Sequence, residues 1–157
     1  MEYFQIADMF GRRRRPRLSL YLREGQDFVE GQIHRRQLIL GIEDQGRALA
    51  KFPSIRFKSV PNMALHSIDG DEGFGLPLHP SEPGTIIFAG GADHVIYPGT
   101  VVKIATFDQF ARPTNWVRFG EGYQELYFDE YSLTVDLFAD EMAVTKDTKS
   151  VPRREIH

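Results

Sequence analysis

Apolar side chains recur at every second position in short runs along this chain, the spacing of strands with one buried face. Leu18, Leu20 and Leu22 alternate with Ser19, Tyr21 and Arg23, and the polar stretch Glu24-Gly25-Gln26-Asp27 then reads as a turn. The most informative segment is Leu38 to Phe57. It has one alternation through Leu38, Leu40 and Ile42, a Glu43-Asp44-Gln45-Gly46-Arg47 break, small steps at Ala48 and Ala50, and a second alternation through Ile55 and Phe57. That pattern predicts strands over 37–42 and 54–58 joined by a turn in which Gly46 takes the positive φ that other residues resist. Further strands are expected over 85–88, 94–97, 100–107, 124–128 and 132–139, with Pro98-Gly99 suited to a type II turn.

Helical periodicity is nearly missing. Tyr3 to Phe10 allows at most two turns of helix before Gly11, and Pro16 favours an extended entry into the first strand. The stretches 61–84 and 108–122 lose all periodicity and read as long excursions. About eight alternating segments with Gly and Pro punctuation predict an all-β fold, an antiparallel immunoglobulin-like β-sandwich of about eight strands with a short N-terminal helix. The expected organisation is a short helix and arginine-rich connector over 1–15, a sandwich domain over 16–145 and a polar, frayed tail over 146–157. The expected core is Leu20, Leu22, Leu38, Leu40, Ile42, Ile55, Phe57, Ile87, Val102, Ile104, Leu133, Val135 and Leu137.

A length of 157 residues fits one core. With 41% hydrophobic and 26% charged residues the composition is that of a soluble globular protein, and no apolar run approaches the roughly 20 residues of a membrane span. The first eleven residues lack the basic start and continuous apolar stretch of a secretory signal, and a cytoplasmic setting is expected. There is no cysteine, which excludes disulfides, thiolate metal sites and a cysteine nucleophile. The net charge of −3 hides an asymmetry: residues 1–60 hold 12 Lys and Arg against 7 Asp and Glu, and the remainder 7 against 15.

Leu40-Gly41-Ile42-Glu43-Asp44-Gln45-Gly46-Arg47-Ala48-Leu49-Ala50 resembles the strand and turn of immunoglobulin-like sandwich modules. A broader order runs Ala7-Asp8-Met9-Phe10-Gly11-Arg12-Arg13, Pro16-Arg17-Leu18, Tyr97-Pro98-Gly99-Thr100 and Ala139-Asp140-Glu141-Met142. It is similar to the C-terminal domain that follows a Schlafen-type AlbA-like DNA-binding domain in bacterial regulators. The resemblance implies an accessory sandwich without enzymatic function, with nucleic acid bound by an upstream domain. No functional residue is carried over, because the matching positions are turn and strand residues.

Candidate chemistry is sparse. Arg12, Arg13, Arg14, Arg15 and Arg17 form a cluster whose planar forks and summed field suit phosphate or nucleic acid. Arg13 and Arg17 have the spacing that resembles the cyclic-di-GMP clamp of PilZ domains, but the segment from Asp44 to Ala48 lacks the serine of the family's second motif and misplaces its glycine. His79, Glu82 and His94 are ligand types that a cupin-like metal-dependent enzyme would use, with a spacing unlike a cupin's. Asp69, Asp71 and Glu72 lack the full ligand set of a calcium loop. Trp116, Phe110, Phe119 and Tyr123 make an aromatic-rich loop able to anchor a partner. Adjacent acids such as Asp129 and Glu130 point to opposite faces of a strand and do not pair as acid and base. These readings predict a non-catalytic binding or assembly module, accessory to a bacterial regulatory protein, with no catalytic residue, cofactor or metal. Its partner is a protein or a second copy. Arg12–Arg15 and Arg17 are the candidate ligand site, and Trp116, Phe110 and Phe119 the candidate partner site, with no membrane contact.

Overall fold

The computed structural model describes residues 15–58, 65–67, 76, 78–79, 84–114 and 125–156. The expected helix near the N-terminus, Arg12 to Arg14, the acidic stretch 69–72, Glu82, Trp116, Phe119 and Tyr123 lie outside them.

The alternation that begins at Leu18 runs further than its polar continuation suggests. Strands β1 (Leu18–Glu30) and β2 (Ile33–Asp44) form one long antiparallel hairpin. The turn expected over 24–27 is a β-bulge, where the register shifts between Glu24 and Asp27 and the pairing then resumes. Gly25 fits this bulge because a Cβ there would stand 2.7 Å from Gln37 Oε1. The chain reverses instead at Gly31-Gln32, with Gly31 at φ 60° and Glu30 opposite Ile33. A two-residue loop with positive φ at its first position only is a type II′ turn, which matches the twist of the flanking strands.

Among the described residues the fold is all-β and every strand pairing is antiparallel. One sheet has the order β1-β2-β9-β5, with β9 at Val101–Phe110 and β5 at Leu65–Ser67. A second has the order β13-β12-β4-β7-β6, comprising Thr145–Val151, Tyr131–Phe138, Ser54–Lys58, Thr85–Ala89 and Leu78–His79. Short strands β10 (Arg112–Pro113), β11 (Leu126–Phe128) and β14 (Arg154–Ile156) form a third sheet, and β3 (Ala50–Lys51) pairs with β8 (Val95–Ile96). Among the described residues no sheet closes into a barrel. Among the described residues seven strands have five or more residues; of the seven shorter ones, β8 and β11 fall within the strands expected over 94–97 and 124–128, and the other five were not expected.

The inward faces of the two main sheets meet in one apolar cluster, as a sandwich requires. Leu20, Leu22, Leu38, Leu40, Ile42, Ile55, Phe57, Ile104, Leu133, Val135 and Leu137 are buried there, and half-buried Val102 packs against them. Ile87 does not join this cluster. Inward-facing Ile55 and Phe57 stand opposite Phe88 and Ile86, so the register turns Ile87 outward opposite Arg56. In the unbroken apolar run Ile86-Ile87-Phe88 the sequence offers no polar partner to mark the face.

The strands at 38–42 and 54–58 are not a hairpin, since β2 and β4 belong to different sheets. Gly46 has no positive φ. Its need for glycine is close approach: a Cβ would stand 2.4 Å from Arg15 O and 2.5 Å from Arg17 N. The turn at Tyr97 to Thr100 has the type II form, with Gly99 at φ 76° and Thr100 N–H bonded to Tyr97 O at 3.1 Å.

Residues 146–157, read as a frayed tail, largely form strands. β13 pairs with β12 residue for residue from Leu137↔Thr145 to Tyr131↔Val151, and β14 pairs with β11. β13 ends its sheet and is wetted on both faces except at buried Val151, so its polar sequence carries no apolar alternation. Leu20 N–H donates to Asp147 Oδ2 at 2.8 Å, one carboxylate tying the edge of β1 to β13 across the side of the sandwich.

Candidate functional site

Three places gather polar chemistry. The first is the corner where the chain enters β1. Asp44, fully buried at the end of β2, acts as its hub. Its Oδ1 accepts the N–H groups of Arg17 at 3.2 Å and Gly46 at 2.8 Å, its own N–H donates to Thr100 O at 3.1 Å, and its carbonyl accepts Gly99 N–H at 2.7 Å. Gln45 N–H bonds Arg17 O at 2.8 Å and Arg47 N–H bonds Arg15 O at 3.4 Å. The loop after β2 therefore clamps the end of the arginine run against the sandwich, with Arg15, Arg17 and Arg47 exposed. Of the predicted phosphate-binding set the structure places Arg15 and Arg17. Arg47 was missed because it lies thirty positions along the chain, in a segment read only as a turn.

The second place is the distal half of the β1–β2 hairpin. Position 36 shares the inward register of Leu38 and Leu40, and the arginine there is fully buried. Its Nε donates to Gln109 Oε1 at 2.6 Å, and its two terminal nitrogens donate to Pro152 O at 3.0 Å and Asp129 O at 2.8 Å. Glu24 is the nearest carboxylate, at 3.8 Å. Buried Phe128 holds the guanidiniums of Arg36 and Arg154 at 5.3 Å and 5.0 Å from its ring centroid. Arg154 in turn bonds Glu24 and Asp27 of β1. Burial lowers the Arg36 pKa, with Glu24 opposing that shift. The bond to Asp27 raises the Arg154 pKa. The cluster fastens the short β10-β11-β14 sheet onto the hairpin. On the opposite, outward face Phe28, Arg35 and Phe110 share one register row and Asp108 lies in the next, opposite Gln37, with Arg35 paired to Asp108 and set 4.4 Å over the Phe28 ring.

The third place is a groove of about 580 Å³ where β12 and β4 part. The two strands pair only through Asp136↔Arg56, Leu137↔Ile55 and Phe138↔Ser54 and then separate. Phe57, Leu133 and Val135 lie beneath, and Lys58, Tyr131 and Lys146 stand at the rim. Burial pushes the Tyr131 phenol up to about 12, because the phenolate loses solvation. A group whose pKa is higher folded than unfolded contributes stability below its unfolded value, about 10 for tyrosine, and loses it as pH rises through the folded value. Stability is thus expected to fall as pH climbs from about 10 toward about 12, and Tyr131→Phe to remove that part of the fall in urea midpoints measured across the range.

The remaining candidates are not brought together among the described residues. His94 is spent on its own turn, where its Nδ1 accepts Gly91 N–H at 2.9 Å. His79 lies in β6, in a different sheet from the β3–β8 pair that His94 adjoins. Phe110 is 52% exposed at the end of β9. Arg36 and its acceptors were missed entirely. Their signal was an arginine at an inward position beside Leu38. Among the described residues there is no helix long and apolar enough to cross a membrane. Comparison with protein-family models, curated proteins and solved structures finds no match to this chain.

Proposed function

We propose that the chain is a non-catalytic assembly module that docks on a second copy of itself through the distal end of the β1–β2 hairpin. The reading includes an immunoglobulin-like character for the sandwich and an accessory role in a bacterial regulatory protein, for which the sequence resemblance is the support. The observation that carries it is the exposure of Ile33 (55%) and Phe110 (52%) on one face of the hairpin tip, with Val29 (57%) exposed on the opposite face of the same tip. Apolar side chains gathered in this way mark interaction surfaces.

A second copy is the partner that the surroundings favour. Arg35 is neutralised on that face by its bond to Asp108, so a second copy can approach the apolar side chains without meeting an uncompensated charge there. β1 also ends its sheet, and its outer edge past Glu24 has no strand partner among the described residues. Antiparallel pairing of two such edges continues the sheet across the dimer.

Sedimentation velocity over a concentration series tests this. The native chain is expected to sediment as twice its 18.0 kDa mass at high concentration, and the double variant Ile33→Asp, Phe110→Asp as a monomer with an unchanged unfolding midpoint. A single monomeric mass throughout, or a variant that associates as well as the native chain, overturns the proposal.

A further inference from the structure

We propose that the corner built around Asp44 binds single-stranded nucleic acid, with Arg15, Arg17 and Arg47 on successive phosphates and the ring of Tyr97 as a stacking surface for a base. The site is at the opposite end of β2 from the hairpin tip and is independent of self-association.

Three observations carry it. First, backbone bonds of Gln45 to Arg17 and Arg47 to Arg15 set three arginines side by side, two from the N-terminal run and one from the loop after β2. All three are exposed, and among the described residues none has an ion-pair partner. The neighbouring carboxylates are already engaged: Asp44 is buried and takes main-chain N–H groups, and Glu43 takes Gln45 Nε2 at 3.5 Å. Unpaired guanidiniums fixed at neighbouring backbone positions suit the repeating charge of a phosphodiester chain.

Second, Tyr97 is 61% exposed, and the turn it opens is bound to the same residue that holds the arginines, through Gly99 N–H on Asp44 O and Asp44 N–H on Thr100 O. Pairing of Ala50 with Ile96 places Tyr97 beside the strand that leads out of the Arg47 loop. An exposed aromatic ring next to a basic track is the arrangement by which proteins hold single strands without regard to sequence. Third, the corner is rigid where it matters. Gly46 lies so close to the backbone of Arg15, Pro16 and Arg17 that a Cβ has no room, so the loop and the arginine segment hold one another in register.

Binding of a fluorescein-labelled oligothymidylate to the full chain, followed by anisotropy from 50 mM to 200 mM salt, tests the site. Three phosphate contacts on a single strand give a log–log salt slope near −2. Arg47→Glu is expected to weaken binding more than about tenfold and to flatten the slope, and Tyr97→Ala to weaken it about tenfold with the slope unchanged. Lys149→Glu, an exposed charge on β13, is expected to change neither. All these positions are exposed, so unfolding midpoints should match the native chain's. Three results overturn the proposal: no binding at 50 mM salt, an Arg47→Glu chain that binds like the native one, or phosphatidylserine vesicles that displace the oligonucleotide at equal phosphate. The second would show a loose arginine run acting alone. The hairpin-tip double variant should bind the oligonucleotide normally, which keeps this test separate from that of self-association.

Discussion

Replacing Arg36 with leucine is expected to lower the stability of the fold by about 3–5 kcal/mol, the range for stripping one partner from a buried charged network. The reason lies in what stays behind. Arg36 supplies donors to Gln109 Oε1, Pro152 O and Asp129 O, and two of these acceptors are main-chain carbonyls that no compensating substitution can remove. Gln109 Nε2 also donates to Asp129 O at 2.9 Å and keeps that carbonyl partly satisfied, whereas Pro152 O loses its donor altogether. Leucine fills some of the space but leaves Gln109 Oε1 buried without this donor, a cost of about 1–3 kcal/mol, and strips a donor from the part-buried carbonyls of Asp129 and Pro152. Arg36→Lys should recover only part of the loss, because an ammonium cannot reproduce the planar fork. Arg154→Ala, by contrast, removes a largely solvated ion pair with Glu24 and Asp27 and is expected to cost no more than about 1 kcal/mol. Urea unfolding of the three variants reads these differences directly. An Arg36→Leu chain as stable as the native one would mean that the distal sheet is held by packing alone.

Replacing Asp44 with alanine is the second large effect, a loss of about 3 kcal/mol as the part-buried N–H groups of Arg17 and Gly46 lose their acceptor and the fully buried Asp44 side chain is truncated. Asp44→Asn is the informative control. Both of those bonds end on Oδ1, while Oδ2 is buried with no hydrogen-bond partner among the described residues, so a neutral amide retains the acceptor that matters. The asparagine variant is therefore expected to lose less than about 1 kcal/mol. Limited tryptic cleavage after Arg17 should be fast in the alanine variant and slow in the asparagine variant and the native chain. Equal protection in all three would remove Asp44 from its place as the hub of the corner. Because the alanine change also frees Arg15 and Arg17 from the loop, it should weaken oligonucleotide binding without removing any positive charge.

Apolar alternation marks some strands and passes over others for identifiable physical reasons. Where one face is buried and the other wetter, as in Leu133 to Leu137, alternation names both the strand and its inward side chains. It fails at β13, which is held by its pairing to β12 and offers the core only Val151. It fails again at Ile87, whose facing is decided by the register with Arg56 and not by its own hydrophobicity. Long-range crossings are likewise beyond local pattern: the chain on either side of Gly46 looks like a hairpin, yet it passes from one sheet to the other.

Of the functional surfaces, Arg15, Arg17 and Phe110 are legible as residue types able to bind something. What joins them to Arg47, or to Ile33, is three-dimensional neighbourhood alone. Arg36 reads as an ordinary surface charge until the parity it shares with Leu38 and Leu40 is noticed. The bulge between Glu24 and Asp27 then keeps the register that sets Asp27, and not Phe28, opposite it.

Hydrogen exchange of the native chain, compared between dilute and concentrated solution, is the most direct test of the assembly reading. Concentration should slow exchange at residues 28–34 and around Phe110, the hairpin tip and the end of β9, and leave the Asp44 corner and β13 unchanged. Protection that is the same at both concentrations, or that rises at β13 in place of the hairpin tip, would contradict it.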